Sequence, residues 1–262
     1  MDLELSAKRA LVLGAGSGLG RAVALSLAGE GAHVVCVGRT PEKLHESVRL
    51  VQAGGGEASA LVWDLTDAAG MREGLDRAQD LLDGPVQILF NNGGGPPPSP
   101  AQGQSPSAWE SQYRSLVAPV IALTDLVLPA MKQEGWGRVL TNASSGVIVP
   151  IPNLAMSNSL RGALVGWSKT LATEVAAQGI TVNLILPGRI ATERTAFLDT
   201  SRATREGIAV EEARARSLAA IPARRYGELH EYGDVVAFLA SPRASYITGS
   251  MIRIDGGAIA SV

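Results

Sequence analysis

The fold is indicated by one stretch near the start of the chain, Arg9-Ala10-Leu11-Val12-Leu13-Gly14-Ala15-Gly16-Ser17-Gly18-Leu19-Gly20-Arg21. Residues 9–13 are mostly apolar, as in a buried strand, and the residues from Leu19 onward have helical periodicity. Between them, Gly14, Gly18 and Gly20 have the spacing G-x-x-x-G-x-G. A strand that enters a helix through so tight a turn predicts a unit of parallel strands joined by helices.

The rest of the chain repeats this alternation of short apolar runs and longer helical segments. We predict strands at Arg9–Leu13, His33–Val37, Ala58–Trp63, Val86–Phe90, Arg138–Thr141, Thr181–Leu186 and Met251–Ile254. We predict helices at Leu19–Glu30, Glu42–Gln52, Ala68–Leu82, Ser107–Gln133, Met156–Ala177 and His230–Ala240. The strands lack polar alternation, which is typical of parallel strands covered on both faces. The sequence therefore predicts one α/β domain over residues 1–262, a Rossmann-like, doubly wound parallel sheet of about seven strands with helices on both faces.

Two stretches interrupt the alternation. Residues 93–98 read Gly-Gly-Gly-Pro-Pro-Pro, which excludes a helix or a central strand. Residues 193–221 are rich in arginine and alanine but have no strand pattern. Both follow strands at the carboxyl edge of the predicted sheet, where such sheets bind ligands. We expect both to border a pocket, the second as a lid-like segment, with a plain surface loop as the alternative.

Composition and charge narrow the class of protein. Hydrophobic residues make up 46% of the chain and charged residues 18%, which excludes a largely disordered protein. The formal net charge is −2 and no run of lysine or arginine occurs, so we expect neither nucleic acid nor a membrane as a partner. The one cysteine, Cys36, lies in a predicted strand and is expected to be a small buried apolar residue. No metal site is predicted, because His33, His45 and His230 are scattered.

The N-terminus has no signal-peptide pattern. The most apolar segment, residues 116–131, is interrupted by Asp125 and two prolines, so we expect it to be too short to span a bilayer. A cytoplasmic location is therefore the expectation.

The glycine-rich turn predicts a nucleotide site. Gly14 permits the tight turn, Gly18 allows the backbone to approach a pyrophosphate, and Gly20 allows the helix to pack closely on the strand. The N-terminus of the following helix supplies N–H groups and the positive end of the helix dipole. Gly14, Ser17, Gly18, Leu19 and Gly20 are accordingly the candidate contacts of a dinucleotide.

The end of the second predicted strand indicates which dinucleotide. A carboxylate there would bind the ribose 2′-hydroxyl of NAD, whereas an arginine accommodates the 2′-phosphate of NADP. The chain reads Val37-Gly38-Arg39-Thr40, with no acidic residue before Glu42. Arg39 therefore favours NADP(H) over NAD(H), with a solvated surface arginine as the alternative.

Five motifs in order resemble those of the short-chain dehydrogenase/reductase family, and especially its 3-oxoacyl-acyl-carrier-protein reductases. They are the turn Gly14–Gly20, Trp63–Asp67, Asn91–Gly94, Val182–Thr192 and Tyr246–Gly257. The resemblance implies an NADP(H)-dependent oxidoreductase acting on a carbonyl/hydroxyl substrate, assembled as a homodimer or homotetramer. It also implies further cofactor contacts, with Asp64 near the adenine and Thr192 and the backbone near Ile190 at the nicotinamide; the full set is Asp64, Leu65, Asn91, Gly93, Pro187, Gly188, Ile190 and Thr192.

The catalytic residues that this family uses are asparagine, serine, tyrosine and lysine, the last two spaced Y-x-x-x-K. Ser144 occupies the serine position, but Ser157 stands where the tyrosine belongs and Arg161 where the lysine belongs. Leu116 stands at the asparagine position, and none of the four tyrosines has a lysine four residues later. The resemblance is thus to a divergent member, with Ser144, Ser157 and Arg161 as candidate catalytic residues and Arg161 also as a candidate ribose contact.

The altered residues leave two interpretations open. A serine is not an acid in the useful pH range and an arginine does not deprotonate, so the usual general acid is missing. A divergent reductase can still polarise a carbonyl through Ser144, Ser157 or water, and Ser157 can leave space for a bulkier substrate. The alternative is a catalytically weak or inactive NADP(H)-binding pseudoenzyme. Tyr113, one turn before Leu116, is expected to pack in the core.

Overall fold

A computed structural model gives the fold and describes residues 2–67 and 69–261. Over this part of the chain the strands are β1 Arg9–Leu13, β2 His33–Gly38, β3 Glu57–Val62, β4 Ile88–Asn91, β5 Gly137–Asn142, β6 Ile180–Pro187 and β7 Met251–Ile254. They form a single sheet in the order β3-β2-β1-β4-β5-β6-β7, and every neighbouring pair is parallel. The predicted doubly wound α/β fold is confirmed.

Helices cover both faces of the sheet. Over the described residues the helices are α1 Gly18–Gly29, α2 Pro41–Ala53, α3 Met71–Leu82, α4 Pro106–Leu116, α5 Ala118–Glu134, α6 Ala155–Val175, α7 Glu193–Glu206, α8 Val210–Ala219 and α9 Leu229–Ala240. Alternate residues of β1 enter opposite cores, with Val12 packed on the side of α1 and α9 and Leu11 on the side of α3 and α5. The strands β1, β2, β4, β5 and β6 are buried on both faces, which explains why their sequences lack polar alternation.

The strand order reverses between β1 and β4, which places a crevice at the carboxyl ends of these two strands. The strands β2 and β3 lie on one side of β1, and the strands from β4 to β7 lie on the other. The end of β1 is tied to the loop after β4, since Asn92 Nδ2 donates to the carbonyl oxygen of Leu13 at 3.2 Å. The glycine-rich turn and the loop after β4 therefore meet at this crevice.

The prediction of one continuous helix over Ser107–Gln133 is wrong, because the chain breaks at Val117 between α4 and α5. Pro119 causes the break: it has no N–H to donate, and its ring crowds the carbonyl group four residues earlier. Taken together as Pro106–Glu134, α4 and α5 are long and apolar enough to cross a membrane by length and composition alone, a test that buried core helices also pass. The helix α5 buries Leu123 and Val127 in the core under the sheet, as core helices do.

Residues 193–221 do not form the irregular segment expected from the sequence but fold into α7 and α8. Thr192 caps α7 by accepting from the N–H of Thr195 at 3.1 Å, and Gly207 ends it with a φ of +65°. Arginine and alanine are good helix formers, and their propensity explains the difference. The two helices are joined through the buried Asp199, which accepts from Ser217 Oγ at 3.3 Å.

The remaining element ends differ from the predictions by a few residues. The helix predicted from Ala68 begins at Met71, and Ala68 itself lies outside the described residues. Cys36 is fully buried in β2, as expected, and burial raises its pKa to about 12.

Candidate functional site

The turn after β1 requires its glycines for geometric reasons. Gly14 and Gly18 have φ angles of +62° and +54°, which residues with side chains adopt at a cost. A Cβ atom on Gly20 would overlap the carbonyl oxygen of Gly14, and one on Gly14 would lie 2.7 Å from Asn92 Nδ2. Glycine at these positions therefore allows the tight turn and the close packing of α1 against it, as in turns that bind phosphate groups.

The helix that follows the turn begins with unsatisfied donors. Ser17 is the N-cap of α1, and its side chain accepts no hydrogen bond from the helix. Ser47 on α2 stabilises the turn. Its Oγ donates to the carbonyl oxygen of Ala15 at 2.7 Å, and Arg21 Nε donates to Ser47 Oγ at 2.9 Å. Leu19 packs against the core on its other side. The first N–H groups of α1 thus remain for an anion at the crevice.

Arg39 and Asp64 lie next to each other beyond β2 and β3, and both are exposed. Within residues 2–67 and 69–261, no hydrogen bond or ion pair engages the Arg39 guanidinium. Asp64 accepts from Thr66 through both the N–H (3.0 Å) and Oγ1 (2.8 Å). These two bonds, and to a smaller extent the charge of Arg39, lower the pKa of Asp64. Leu65 is half-buried beside them.

Asn91 and Gly93 follow β4 but offer different groups. The Asn91 side chain is fully buried, and its Nδ2 donates to the hydroxyls of Thr124 (3.2 Å) and Thr141 (3.3 Å). Only the backbone of Asn91 can therefore reach the crevice. Gly93 is exposed, and a Cβ added to it would meet nothing closer than the carbonyl oxygen of Ser115 at 4.0 Å. This loop leaves open space above the strand ends.

The segment after β6 approaches the glycine-rich turn from the opposite side. Gly188, after Pro187, is confined by β7, where its N–H donates to the carbonyl oxygen of Ile254 at 2.9 Å. Ile190 is buried, whereas the Thr192 methyl group lies 3.6 Å from where a Cβ of Gly18 would be. The structure therefore brings Thr192 to the turn, as the sequence resemblance implied, although its hydroxyl also caps α7.

The hydroxyl groups of Ser144 and Ser157 are free to donate hydrogen bonds. Ser144 Oγ accepts from the N–H of Gly146 at 3.1 Å, which leaves its own proton free. Ser157 is 9% exposed, and its hydroxyl forms no hydrogen bond to any residue that the structure describes. The neighbouring Asn158 fixes the loop before α6 by bonding both backbone groups of Ile151 (3.3 and 2.9 Å). The two serines therefore lie in a rigid frame and can donate to a substrate oxygen.

Arg161 lies one helical turn after Ser157 on α6 and reaches the ends of two strands. Its Nη1 donates to the carbonyl oxygen of Asn142 at 2.9 Å and its Nη2 to that of Gly94 at 3.3 Å. The side chain is only 7% exposed, and no carboxylate among the described residues pairs with it. Burial, and to a smaller extent the positive charge of Arg194, lowers the pKa of Arg161 to about 10. Arg161 therefore stays charged at neutral pH.

A chain of buried polar groups under the site was not predicted from the sequence. Tyr232 OH donates to Asn142 Oδ1 at 3.0 Å, and Asn142 Nδ2 donates to Asn92 Oδ1 at 2.8 Å. Full burial raises the pKa of Tyr232, which also packs edge-on against Phe90 on the face of α1 and α9. Tyr232 is thus no substitute for a catalytic phenol. A polar Asn142 at the end of an apolar strand was the signal that could have revealed this chain.

The position at which the resemblance implies an asparagine is apolar in the structure. Leu116 is buried with Val117 and Leu164 in a small cluster between α4 and α6. Tyr113, which was expected to pack in the core, is instead 44% exposed, so that expectation is wrong. Neither residue brings a polar group to Ser144 or Ser157.

Comparison with known proteins gives matches along nearly the whole chain. Residues 14–258 match the family model described as enoyl-(acyl carrier protein) reductase. The 3-oxoacyl-[acyl-carrier-protein] reductase FabG of Escherichia coli strain K12 is 33% identical over 257 residues, which cover 97% of this chain and 98% of the relative.

Solved structures agree with these matches. L-Sorbose reductase from Gluconobacter frateurii, complexed with NADPH and L-sorbose, is 30% identical with a TM-score of 0.89, and 100% of each chain is covered. YwfH, an NADPH-dependent reductase involved in bacilysin biosynthesis, is 27% identical with a TM-score of 0.92, covering 97% of this chain and 100% of that one. Relatives described as reductases give no support to the pseudoenzyme alternative. The matched motifs, the strand order and these similarities together show that the chain belongs to the short-chain dehydrogenase/reductase family.

Proposed function

We propose that this protein is an NADP(H)-dependent oxidoreductase that interconverts a carbonyl and a hydroxyl group, with a proton route that differs from the family's tyrosine and lysine. One observation carries the proposal: an uncapped N-terminus of α1 follows a turn in which Gly14 and Gly20 leave no room for a Cβ, and the nearby Arg39 guanidinium has no partner among the described residues. A pyrophosphate suits the first group and a 2′-phosphate suits the second. NADPH-bound relatives support the choice of cofactor.

Each part of the crevice then has a task. The turn Gly14–Gly20 and α1 hold the pyrophosphate, Arg39 holds the 2′-phosphate, and Asp64 and Leu65 border the adenine. The backbone at Asn91 and Gly93 lines the middle of the cofactor, and Pro187, Gly188, Ile190 and Thr192 enclose its nicotinamide end. When bound, NADPH supplies the hydride, and the protein orients the carbonyl group that receives it.

Ser144, Ser157 and Arg161 act on the oxygen of that carbonyl group. The two serine hydroxyls donate to it, and the buried guanidinium stabilises the negative charge that develops there. A serine hydroxyl has no useful acidity and Arg161 does not release its proton, so the proton that completes the alcohol comes from water. Without a positioned general acid, we expect turnover to be lower by about 10²–10⁴-fold than with one.

The experiment is a comparison of cofactor binding and cofactor oxidation in the same preparation. NADPH binding is measured by fluorescence, and NADPH oxidation by absorbance, with ketones, aldehydes and 3-oxoacyl thioesters. We expect tight NADPH binding and slow oxidation with at least one class, reduced at least tenfold in the variant Ser144→Ala with Ser157→Ala. Ser245→Ala, on the opposite side of the fold, is the control. NADPH binding without oxidation by any carbonyl would favour the pseudoenzyme, and absence of NADPH binding would refute the proposal.

A further inference from the structure

The loop of residues 188–192, which the proposed function places at the nicotinamide, is bound by a second stretch of backbone. The N–H of Gly227 donates to the carbonyl oxygen of Arg189, and the N–H of Ala191 donates to that of Gly227, both at 2.9 Å. Ile190 and Gly227 thereby form a parallel bridge outside the sheet. So short a pairing is marginal in water, and other contacts must hold the two backbone segments together.

Asp199 on α7 makes such contacts with both segments of the bridge. Its Oδ1 accepts from Arg189 Nη1 at 2.6 Å, and its Oδ2 accepts from Tyr226 OH at 2.7 Å. Arg189 and Tyr226 are the residues that directly precede Ile190 and Gly227, so they stand at the same end of the bridge. Burial, and to a smaller extent the bond to Asp199, raises the pKa of Tyr226, so its hydroxyl keeps the proton that it donates. One buried carboxylate therefore joins the two segments.

The same carboxylate fixes α7 and α8 to the bridge. The buried residues of α7 are Thr195, Asp199 and Ala203, which are spaced by four and share one face of the helix. Thr195 Oγ1, one turn before Asp199, donates to the carbonyl oxygen of Ile190 at 2.6 Å. From α8, Ser217 Oγ donates to Asp199 Oδ1 at 3.3 Å. Hydrogen bonds are directional, so they define the position of α7 more closely than apolar contacts would.

Such an arrangement specifies geometry more than it adds stability. Compared with apolar side chains of the same size, a buried ion pair contributes little net stability, and its best-attested use is to specify one arrangement. The arrangement fixed here is that of the loop carrying Ile190 and Thr192. Well-oriented reacting atoms lie about 3–3.5 Å apart, and a misplacement of about 1 Å can cost about 10²-fold in rate. Because phosphate contacts lie elsewhere, a shift of this loop should change the rate more than the NADPH affinity.

We propose that Asp199 is a positioning residue for hydride transfer. It holds the bridge between Ile190 and Gly227 against α7, so that the loop at the nicotinamide and the lid-like helices α7 and α8 keep one relative position. This inference rests on the proposed function and adds to it a residue that acts through Arg189 and Tyr226 rather than through contact with cofactor or substrate.

The test is the variant Asp199→Asn, which keeps the shape of the side chain and removes its charge. Time-resolved fluorescence anisotropy of bound NADPH reports nanosecond motion of the nicotinamide, and we expect the amplitude of its fast component to rise about twofold or more. The dissociation constant of NADPH should change by less than about threefold, because the glycine-rich turn and Arg39 are untouched. For a carbonyl compound that the wild type reduces, kcat should fall about tenfold or more.

The matched control is Glu134→Gln, which makes the same change in a carboxylate at the opposite edge of the sheet. Glu134 accepts from Arg9 Nη2 and from Gln87 Nε2, both at 2.7 Å, at the amino ends of β1 and β4. It therefore resembles Asp199 in joining an arginine to a second donor, but it lies away from the crevice. Glu134→Gln should leave the anisotropy of bound NADPH and kcat unchanged.

Two further variants test the connection through the side chains. Tyr226→Phe removes one hydroxyl and keeps the ion pair, so it should cause the same changes to a smaller extent, and it decides the matter if Asp199→Asn does not fold. Arg189→Gln combined with Asp199→Asn should have about the effect of Asp199→Asn alone, because both residues act through one cluster.

Three results would each overturn the inference while leaving the proposed function standing. They are an unchanged anisotropy or kcat in Asp199→Asn, an equal effect of Glu134→Gln, and independent, additive effects of the changes at Arg189 and Asp199. If the wild type binds NADPH but reduces no carbonyl compound, the anisotropy alone decides. A wild-type protein that binds no NADPH would overturn the proposed function and this inference together.

Discussion

The cofactor preference gives the sharpest single test, through the substitution Arg39→Asp. Arg39 is exposed and has no partner among the described residues, so its replacement removes no internal contact and should leave the fold intact. A hydrogen bond to a charged group contributes about 1.5–3 kcal/mol, and exposure places this one at the lower end. Since about 1.4 kcal/mol is a factor of ten, NADPH affinity should fall about tenfold from the lost contact alone. Repulsion between the introduced carboxylate and the 2′-phosphate lowers it further.

The assay is a titration of wild type and variant with NADPH and NADH, followed by cofactor fluorescence at two salt concentrations. We expect the wild type to prefer NADPH and the variant to prefer NADH, whose ribose 2′-hydroxyl a carboxylate can bind. The control is Arg77→Asp, which makes the same charge change at an exposed position on α3 and should leave both affinities unchanged. Equal affinity of the wild type for both cofactors would refute the assignment of Arg39, as would an Arg77→Asp effect of equal size.

Four further outcomes are expected. Ser157→Tyr with Arg161→Lys should raise turnover on an activated ketone, as measured by NADPH oxidation, but only in part, because Leu116 supplies no proton relay; an inert double variant that binds NADPH would contradict this. Light scattering should find a homodimer or homotetramer, since half-buried apolar residues remain on α6, and a clean monomer would exclude it. Cys36, whose pKa burial raises to about 12, should react with a thiol reagent at pH ~8 only as the protein unfolds, and rapid labelling of folded protein would be inconsistent with the structure. Asp199→Asn should lower the free energy of unfolding by about 1–3 kcal/mol in urea denaturation, because it weakens a 2.6 Å ion pair and a buried hydroxyl contact; an unchanged midpoint would argue against that cluster.

The fold could be predicted from the sequence because its signals are local. Each strand is a short apolar run, and β1 and β7 begin and end at the residues that the pattern indicated. The predictions that were wrong also have local causes. One proline, Pro119, divides a helix whose apolar pattern continues across the break. The α7–α8 region has helical propensity, but α8 has weak amphipathic periodicity, and the region was not predicted to be helical.

Only part of the candidate site could be predicted from the sequence. The glycine turn and Arg39 could be identified because a phosphate site needs fixed spacing along one stretch of chain. The environment of Arg161 could not, because its carbonyl partners come from residues 19 and 67 positions away. Arg194 was equally hidden, since nothing in its own helix indicates that it meets the loop at Pro96. Charges that converge from separate elements become apparent only once the sheet has brought those elements together.

On the register that the sequence resemblance implies, Ser157 and Arg161 on α6 are best understood as one change. A lysine at position 161 would serve to lower the pKa of a neighbouring phenol, and with a serine at position 157 there is no phenol to tune. An arginine there loses that task but has a planar group with more donors, which binds the carbonyl oxygens of Asn142 and Gly94. Changing Arg161 alone to lysine should therefore not restore proton transfer, and only Ser157→Tyr beside it should bring back a pH-dependent rate that reports a titrating phenol.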